Sequence, residues 1–511
     1  MEGNQGDVTR VDSRTLNLPS GLIRAELEGL YGTNVLSDMK EIIDLYDIYE
    51  RGAPFPVETQ GDYIPASLKY KSISALVNKE ARFLFSKPPD FWVDVNMGNS
   101  KGEREQAKAY SSIYQRLVDR VIEQNNLKGN LVKAAKDCFI GKRIAILYNI
   151  NETSGIQISF LPSLEFIYDV DPSNTQLLTK IVVFYGLNEE KARVNQRIYK
   201  KKYWMEGGYC HYLEEIYDGA GNLVEEVQGD TSTKFTFIPA WVIVNDGLTG
   251  DLIGTSEIEN LKDYEGWYSK MASADLDAER TGMNPIRWAR DMSPGSTQNL
   301  SIAAGAFWDL STDQNAAEGV TGEVGVLDSP MGYSAALETT LSRIKNMMYE
   351  QTSVPNVNSE ALKGVVSSGK TLQAIYWDLI VRCEEKMLDW RPALESMTRC
   401  IIEGVRYYPT VAKLYLDPDE SLPDVDYSIR VDNQYPLPEN EQEEKQIDLA
   451  EVNAQTMSKK YYMKKWRNLT DEEVEEELHQ IAAERQLLED SFFEPPLDTS
   501  DLGNNPPNEE E

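Results

Sequence analysis

Eight consecutive residues, Gly364, Val365, Val366, Ser367, Ser368, Gly369, Lys370 and Thr371, spell the pattern GxxxxGK[ST]. In a phosphate-binding loop of this type, backbone N–H groups cradle the phosphates. The Lys reaches the outer phosphates and the Ser/Thr ligates Mg²⁺. Lys370 and Thr371 stand in those places, a helix is expected to follow, and Leu414, Tyr415, Leu416 and Asp417 supply a candidate second acidic motif. The context argues against nucleotide chemistry. Such a loop follows a buried strand of a parallel sheet, whereas here Pro355 to Lys363 show no apolar strand pattern. Essentially one long helix separates the two motifs, without alternating strands and helices. The motif reads as a Gly/Ser loop that opens a helix, with a P-loop ATPase as the rival.

The remaining chemistry-bearing residues are sparse. Cys138, Cys210, Cys383 and Cys400 show no CxxC spacing, and only His211 and His479 are available as partners. That argues against a Cys/His zinc site and for buried reduced thiols. Two histidines are a thin basis for acid–base catalysis, and no Ser/His/Asp or Cys/His arrangement is suggested. The pairs Asp169/Asp171 and Asp417/Asp419 read as solvated loop carboxylates in preference to a cation site. No metal, no cofactor and no enzymatic activity are expected. Arg287, Trp288, Arg290 and Trp308 are candidates for a protein-docking face, with Trp288 equally suited to a core.

The chain has 511 residues, 41% of them hydrophobic, so several packed units are possible at roughly 150 residues each. No apolar run reaches the roughly 18 residues that span a bilayer, and the first residues lack a secretory pattern. A cytoplasmic site of synthesis and no membrane partner are expected. Net charge is −33. Tight grip on DNA needs phosphate neutralisation, so this chain repels DNA on average. Taken alone, the charge favours no nucleic-acid role.

Periodicity predicts an α+β, mainly helical fold. Met39, Ile42, Ile43, Tyr46 and Tyr49 mark one helix, ended by Gly52 and Pro54. Ile73 to Leu84 mark a second, stopped by Pro88 and Pro89. Helices over about 103–124 and 127–139 follow. Short β-branched runs then predict strands at Arg143–Ile150, Ile156–Leu161, Leu164–Val170, Lys180–Tyr185, Gln196–Trp204, Cys210–Tyr217 and Leu223–Val227. Asp218, Gly219, Gly221 and Asn222 make the last turn. A long helix is predicted from Ser256 to Arg280 and another over Ser334–Gln351. Together they form a helical hairpin around a compact insertion. Leu372, Ile375, Leu379, Cys383, Met387, Trp390, Leu394, Met397 and Ile401 stripe one very long helix, which Pro392 should kink. Short strands are expected at Val411–Leu416 and Tyr427–Val431. A charged helical block covers about 441–489, and Thr470 with Glu473 forms a capping-box pattern. Residues 491–511 read as a disordered acidic tail.

Six segments in this order resemble the portal proteins of long-tailed double-stranded-DNA bacteriophages. They are LYDIYERG (Leu45–Gly52), ALVNKEARFLFSKPPDFWV (Ala75–Val93), KAAKDCFIGKRIAILYNI (Lys133–Ile150), PAWVIVNDGLTGDLIGTSEIENLKDYEGWYS (Pro239–Ser269), SSGKTLQAIYWDLIVRCEEK (Ser367–Lys386) and KKYYMKKWRNLTDEEVEEELHQIAAERQ (Lys459–Gln486). The residues before about Leu18 match nothing in that family.

The resemblance implies a portal fold. It comprises a wing over 1–253, stem helices over 254–281 and 333–353, and a small α/β clip over 282–332. A channel loop covers 354–369, a long wing helix with return strands 370–455, and a helical crown 456–490. It implies a homo-oligomeric ring of about twelve subunits at one capsid vertex, the passage for genome packaging and ejection. The implied partners are DNA sliding through non-specifically, the terminase large subunit, the head–tail adaptor, and the major capsid and scaffolding proteins. The location is the virion, after assembly in the host cytoplasm. Leu362, Lys363, Gly364, Val365, Val366, Ser367 and Ser368 would face DNA. Glu265, Lys270, Glu338, Arg343 and Lys345 are candidates for the stem channel lining. In this setting the acidity gains a use, because a ring that gripped phosphates would trap the duplex. A capsid-lining or scaffold protein without a channel is a third alternative.

Overall fold

The computed structural model describes residues 9–10, 12, 14, 18–26, 35–57, 64–98, 100–188, 196–283, 286–296, 310–315, 317, 319–327, 331–357, 373–417, 420–436, 441–467 and 471–491. The chain divides into one unit of residues 1–361 and 374–436 and a second of residues 362–373 and 437–511. The expected acidic tail, Thr470 of the capping-box pattern, and the whole GxxxxGK[ST] motif lie outside the described residues.

The first unit opens with β1 (Thr9–Arg10), α1 (Ser20–Glu26), α2 (Val35–Arg51) and α3 (Ser72–Phe85). Gly52 ends α2 as expected. Its φ is +84°, and a Cβ there would lie 2.7 Å from the Tyr70 carbonyl oxygen, so only glycine fits. The strand β2 (Asp90–Val95) follows, then α4 (Lys101–Gln124) and α5 (Leu127–Gly141). A capping box starts α4 two residues earlier than its apolar pattern suggests. Ser100 Oγ accepts from Glu103 N–H, and Glu103 Oε2 accepts from Ser100 N–H at 3.0 Å.

Two antiparallel sheets occupy the middle of this unit. The smaller runs β10 (Ala240–Val244), β3 (Arg143–Asn151), β4 (Gly155–Pro162). Ile144 to Ile146 of β3 are entirely buried, because helices and sheet enclose both faces. The larger sheet joins β5 (Phe166–Asp171), β6 (Asn174–Asn188), β7 (Gln196–Glu206), β8 (Tyr209–Tyr217) and β9 (Leu223–Ser232), with β1 at one edge. Gly207 and Gly208, both at positive φ, turn β7 into β8. The predicted turn at 218–222 is present. Asp218 Oδ1 accepts from the N–H groups of Ala220 and Asn222 at 2.9 and 2.8 Å, and Gly221 takes φ +90°.

Next come α6 (Lys262–Met283), the pair β11 (Ile286–Arg290) and β12 (Glu323–Leu327), and α7 (Ser334–Gln351). The helix expected from Ser256 begins only at Lys262. Residues 257–261 form turns, because Glu257 N–H is drawn to the Phe139 carbonyl at 3.0 Å and its side chain is engaged elsewhere. Then α8 runs unbroken from Trp377 to Tyr407 through Pro392, followed by the short α9 (Pro409–Ala412) and β13 (Tyr427–Asp432). The strand expected at Val411–Leu416 is absent. That stretch is the end of α9 and a turn, in which Leu416 N–H bonds the Ala412 carbonyl at 2.8 Å. β13 pairs with β2, more than three hundred residues away, in register from Tyr427↔Val95 to Asp432↔Asp90.

The core of this unit forms around α8. Leu379, Cys383, Met387, Trp390, Leu394, Met397 and Ile401 of the predicted stripe are all buried. Trp390 meets Phe85 edge-on at 4.9 Å. Each such side chain contributes about 1.5–3 kcal/mol on burial, which anchors a helix whose polar residues alone would not hold it.

The second unit holds α10 (Glu441–Asn453), α11 (Lys459–Arg467) and α12 (Asp471–Ser491). Asp448 of α10 accepts from the Trp466 indole at 2.7 Å and pairs with Lys465 at 2.8 Å, which ties α11 to α10. Lys460–Glu475 and Arg467–Glu477 tie α11 to α12.

Candidate functional site

The helices α6 and α7 pack on each other, with the β11–β12 pair between them in sequence. Both helices fall where periodicity predicts a helical pair, the first starting later than expected. The buried residues of α6 are Glu265, Gly266, Ser269 and Ser273, all polar or small, while α7 buries only Met348. The other positions of its apolar stripe, Leu337, Leu341 and Ile344, are half-buried, and Met347 is 42% exposed.

A polar ladder holds α6 against residues 64–73. Ala66 N–H donates to the Asp277 carboxylate at 2.9 Å, Leu68 N–H to Ser273 Oγ at 2.9 Å, Tyr70 N–H to Ser269 Oγ at 3.2 Å, and Ile73 N–H to Glu265 Oε1 at 3.0 Å. Acceptors four residues apart on a helix repeat every ~6.0 Å. Alternate N–H groups of an extended chain repeat every ~6.6 Å, so the rungs at Ala66, Leu68 and Tyr70 stay in step, and Ile73 adds a rung from the first turn of α3. Glu265 Oε2 also accepts from Ala53 N–H at 2.9 Å.

This geometry corrects one expectation. Glu265 is completely buried and is spent on N–H groups, including that of Ile73 in the first turn of α3. It caps a helix that has no side-chain cap of its own, and it does not face a channel. Burial pushes its carboxyl pKa up, opposed by the N–H groups of Ile73, Ala53 and Ser72. Lys270 is half-buried, with its Nζ 5.2 Å from the centre of the Trp267 ring. Glu338, Arg343 and Lys345 are exposed, and Glu338 and Arg343 line a shallow groove along α7 with Ser342 and Asn346.

The docking residues do not share one face. On β11, Trp288 and Arg290 point to one side and Arg287 to the other, by strand alternation. The Trp288 indole lies over Gly325, where a Cβ would come within 2.5 Å of the ring. Arg290 pairs with Asp291 at 3.0 Å, and Val324 and Val326 are exposed on the Arg287 side. Trp308 and Leu362 to Ser368 lie outside the described residues.

The second acidic motif sits in a turn and not at a strand end. Asp417 pairs with Arg116 at 3.2 Å and Arg120 at 3.5 Å. Asp169 pairs with Lys180 at 3.0 Å, and Asp171 Oδ1 accepts from Ser173 N–H at 2.7 Å. All four cysteines are buried and unpaired. Glu206, His211 and Asp230 bring three potential ligand atoms within 4.8 Å of one another. His211 Nδ1 already bonds Asp230 at 2.7 Å, and the Trp204 indole donates to Glu206 at 3.0 Å. Among the described residues no helix is long and apolar enough to cross a membrane.

A buried ionic cluster escaped the sequence reading. Lys386 Nζ of α8 lies 2.6 Å from Glu257 Oε1, 2.8 Å from Asn245 Oδ1 and 3.3 Å from Asp246. Arg382 lies 2.5 Å from Glu257 Oε2 and 2.9 Å from Glu80 Oε1 of α3. Burial alone would raise the Glu257 carboxyl, but Lys386 and Arg382 outweigh it and bring the pKa down to about 2. Burial, with Glu257 adding to it, pushes Glu80 up to about 7. A signal existed: Lys386 sits seven residues after Leu379 on the apolar stripe, and Glu80 falls between Val77 and Leu84 on another.

These surfaces define an acidic α+β chain with a buried ionic cluster near the start of α8, and with a helix α7 that stays largely open to solvent. A family model described as phage portal protein, SPP1 Gp6-like, matches residues 58–488, and the chain belongs to that family. No curated protein matches it.

Proposed function

We infer that this phage portal protein assembles as a ring of about twelve copies at one capsid vertex, and that double-stranded DNA passes through the ring during packaging and ejection. The observation that carries the reading is the α6–α7 pair. α7 buries a single residue while leaving an apolar stripe half-covered, which suits a helix that neighbouring copies complete. The net charge of −33 supports it, since an acidic channel holds the duplex without trapping it.

In this reading α6 and α7 are the stem and β11–β12 belongs to the clip. The clip, through Arg287 on one face and Trp288 and Arg290 on the other, docks the terminase large subunit and then the head–tail adaptor. Lys270, Glu338, Arg343 and Lys345 are the stem residues offered to the channel. Residues 354–369, with Leu362 to Ser368, are the channel loop. Residues 1–253 form the wing and 456–490 the crown, and the major capsid and scaffolding proteins are further partners of the ring.

Negative-stain images of the purified chain and of heads test this. Rings with a central hole near the width of a duplex are expected. A monomer at every salt and concentration, with no rings in heads, would overturn it. No ATP hydrolysis is expected from the chain alone. An intrinsic ATPase lost on Lys370→Ala would favour the enzyme instead.

A further inference from the structure

The ionic cluster at the start of α8 holds an odd number of charges. Three carboxylates, Glu80, Asp246 and Glu257, face two cations, Arg382 and Lys386. Glu80 has no exposed surface, and its Oε2 has no hydrogen-bond partner among the described residues. A bare buried carboxylate oxygen costs far more than a neutral hydroxyl in the same place. Glu257 cannot be the protonated member, because its oxygens take the Lys386 and Arg382 contacts at 2.6 and 2.5 Å. Asp246 is 43% exposed on its side chain, so water shares its charge. The surplus negative charge therefore falls on Glu80.

We propose that Glu80 carries a proton in the folded protein, and that this proton is the latch holding the first turns of α8 to α3 and to the stretch leading into α6. With Glu80 neutral, the two cations balance Glu257 and Asp246. With Glu80 ionised, the buried cluster is left with one net negative charge. Arg382 and Lys386 must then divide between Glu80 and Glu257, and admitting water along Arg382, whose side chain is 20% exposed, relieves the strain.

Of the groups around Glu80, Asp246 is also pushed up by burial and by Glu257, but its partial exposure lets water share its charge. α8 presents Arg382, Lys386 and Cys383, whose thiol burial keeps protonated. The stretch between β10 and α6 presents Asp246 and Glu257. α5 presents the Phe139 ring, 4.4 Å from Lys386 Nζ. From α6, Glu265 is taken up at the first turn of α3. From α2, Tyr49 donates to Asn78. Because the Glu80 value in the fold lies above its ordinary 4.5, the latch is complete on the acid side. It is lost as pH rises through about 7. The inference concerns contacts within one chain and holds whether or not residues 354–369 meet DNA.

Hydrogen exchange of the full-length protein tests this. Protection factors for the amides of residues 380–387 should fall by about tenfold or more between about pH 5.5 and about pH 8.5. Those of β7, in the larger sheet, should not. In Glu80→Gln, a permanently neutral side chain of the same shape, the high protection should persist across the range. Equal pH profiles for the wild type and Glu80→Gln would overturn the proposal. If that variant does not fold, the wild-type measurement decides alone: protection at 380–387 without a pH step overturns it. Ring images do not enter either outcome, so failure here leaves the assembly reading standing.

Discussion

The helices α7 and α8 are both amphipathic, yet α8 buries fourteen of its residues and α7 one. The difference lies in what surrounds them. α8 runs beside β10, β3 and β13 and meets α3 and α4, so its stripe is covered from several sides within one chain. α7 leans on α6, whose buried face is polar. An apolar stripe therefore predicts a helix in both cases, but only in α8 does it predict a core. Among the described residues α7 leaves its stripe half-covered, and in the proposed reading another copy completes the cover.

If α8 is held by its own chain and α7 is not, substitutions should separate the two. The largest effect is expected from Lys386→Met, which leaves Glu257 and Glu80 buried with Arg382 alone. Loss of about 3–5 kcal/mol is expected, read as a lowered urea midpoint at unchanged slope. Glu265→Ala comes next, because it strips the buried acceptor from the N–H groups of Ala53 and Ile73 at the edge of α3. About 2–3 kcal/mol is expected. A smaller loss would show that the ladder at Ser269, Ser273 and Asp277 holds α6 without it.

Gly404→Ala sharpens the contrast within α8. Helix propensity alone favours alanine by about 1 kcal/mol. Here the new Cβ would come within 2.0 Å of the Tyr148 hydroxyl, and overpacking at a buried site costs about 1–3 kcal/mol. A net loss in thermal stability is expected, and a gain would mean that the packing around α8 yields easily. The smallest effect on stability belongs to Met347→Glu on α7. Unfolding should change by no more than about 0.5 kcal/mol, while rings in negative stain become fewer or vanish. Unchanged rings would place α7 outside the subunit contacts and remove the basis of the comparison.

Local patterns were legible because they report local physics. Apolar spacing marks Ser334–Gln351 to the residue, and the Asp-Gly-x-Gly-Asn turn marks the β8–β9 hairpin, since a helix face and a tight turn are decided by neighbours in sequence. The antiparallel middle region follows for the same reason, with strand ends moved by a few residues. Periodicity also named the buried stripe of α8.

What depended on distant partners was not legible. Val411–Leu416 has strand-like composition but finds no strand to pair with, and it folds as a helix end and turn. Asp90–Val95 has the aromatic and β-branched residues of a strand, but only Tyr427–Asp432, far along the chain, gives it a partner. Glu265 is a channel-lining candidate by resemblance, yet tertiary contact turns it inward to cap α3. Glu80, Glu257, Arg382 and Lys386 come from three stretches of chain, and no spacing rule links them. By itself the sequence determined which segments are helices, where the tight turns fall, the acidic charge and the family. Only the tertiary structure decided which charges are buried and which helix face stays open, because burial and electrostatic balance belong to groups brought together through space, not along the chain.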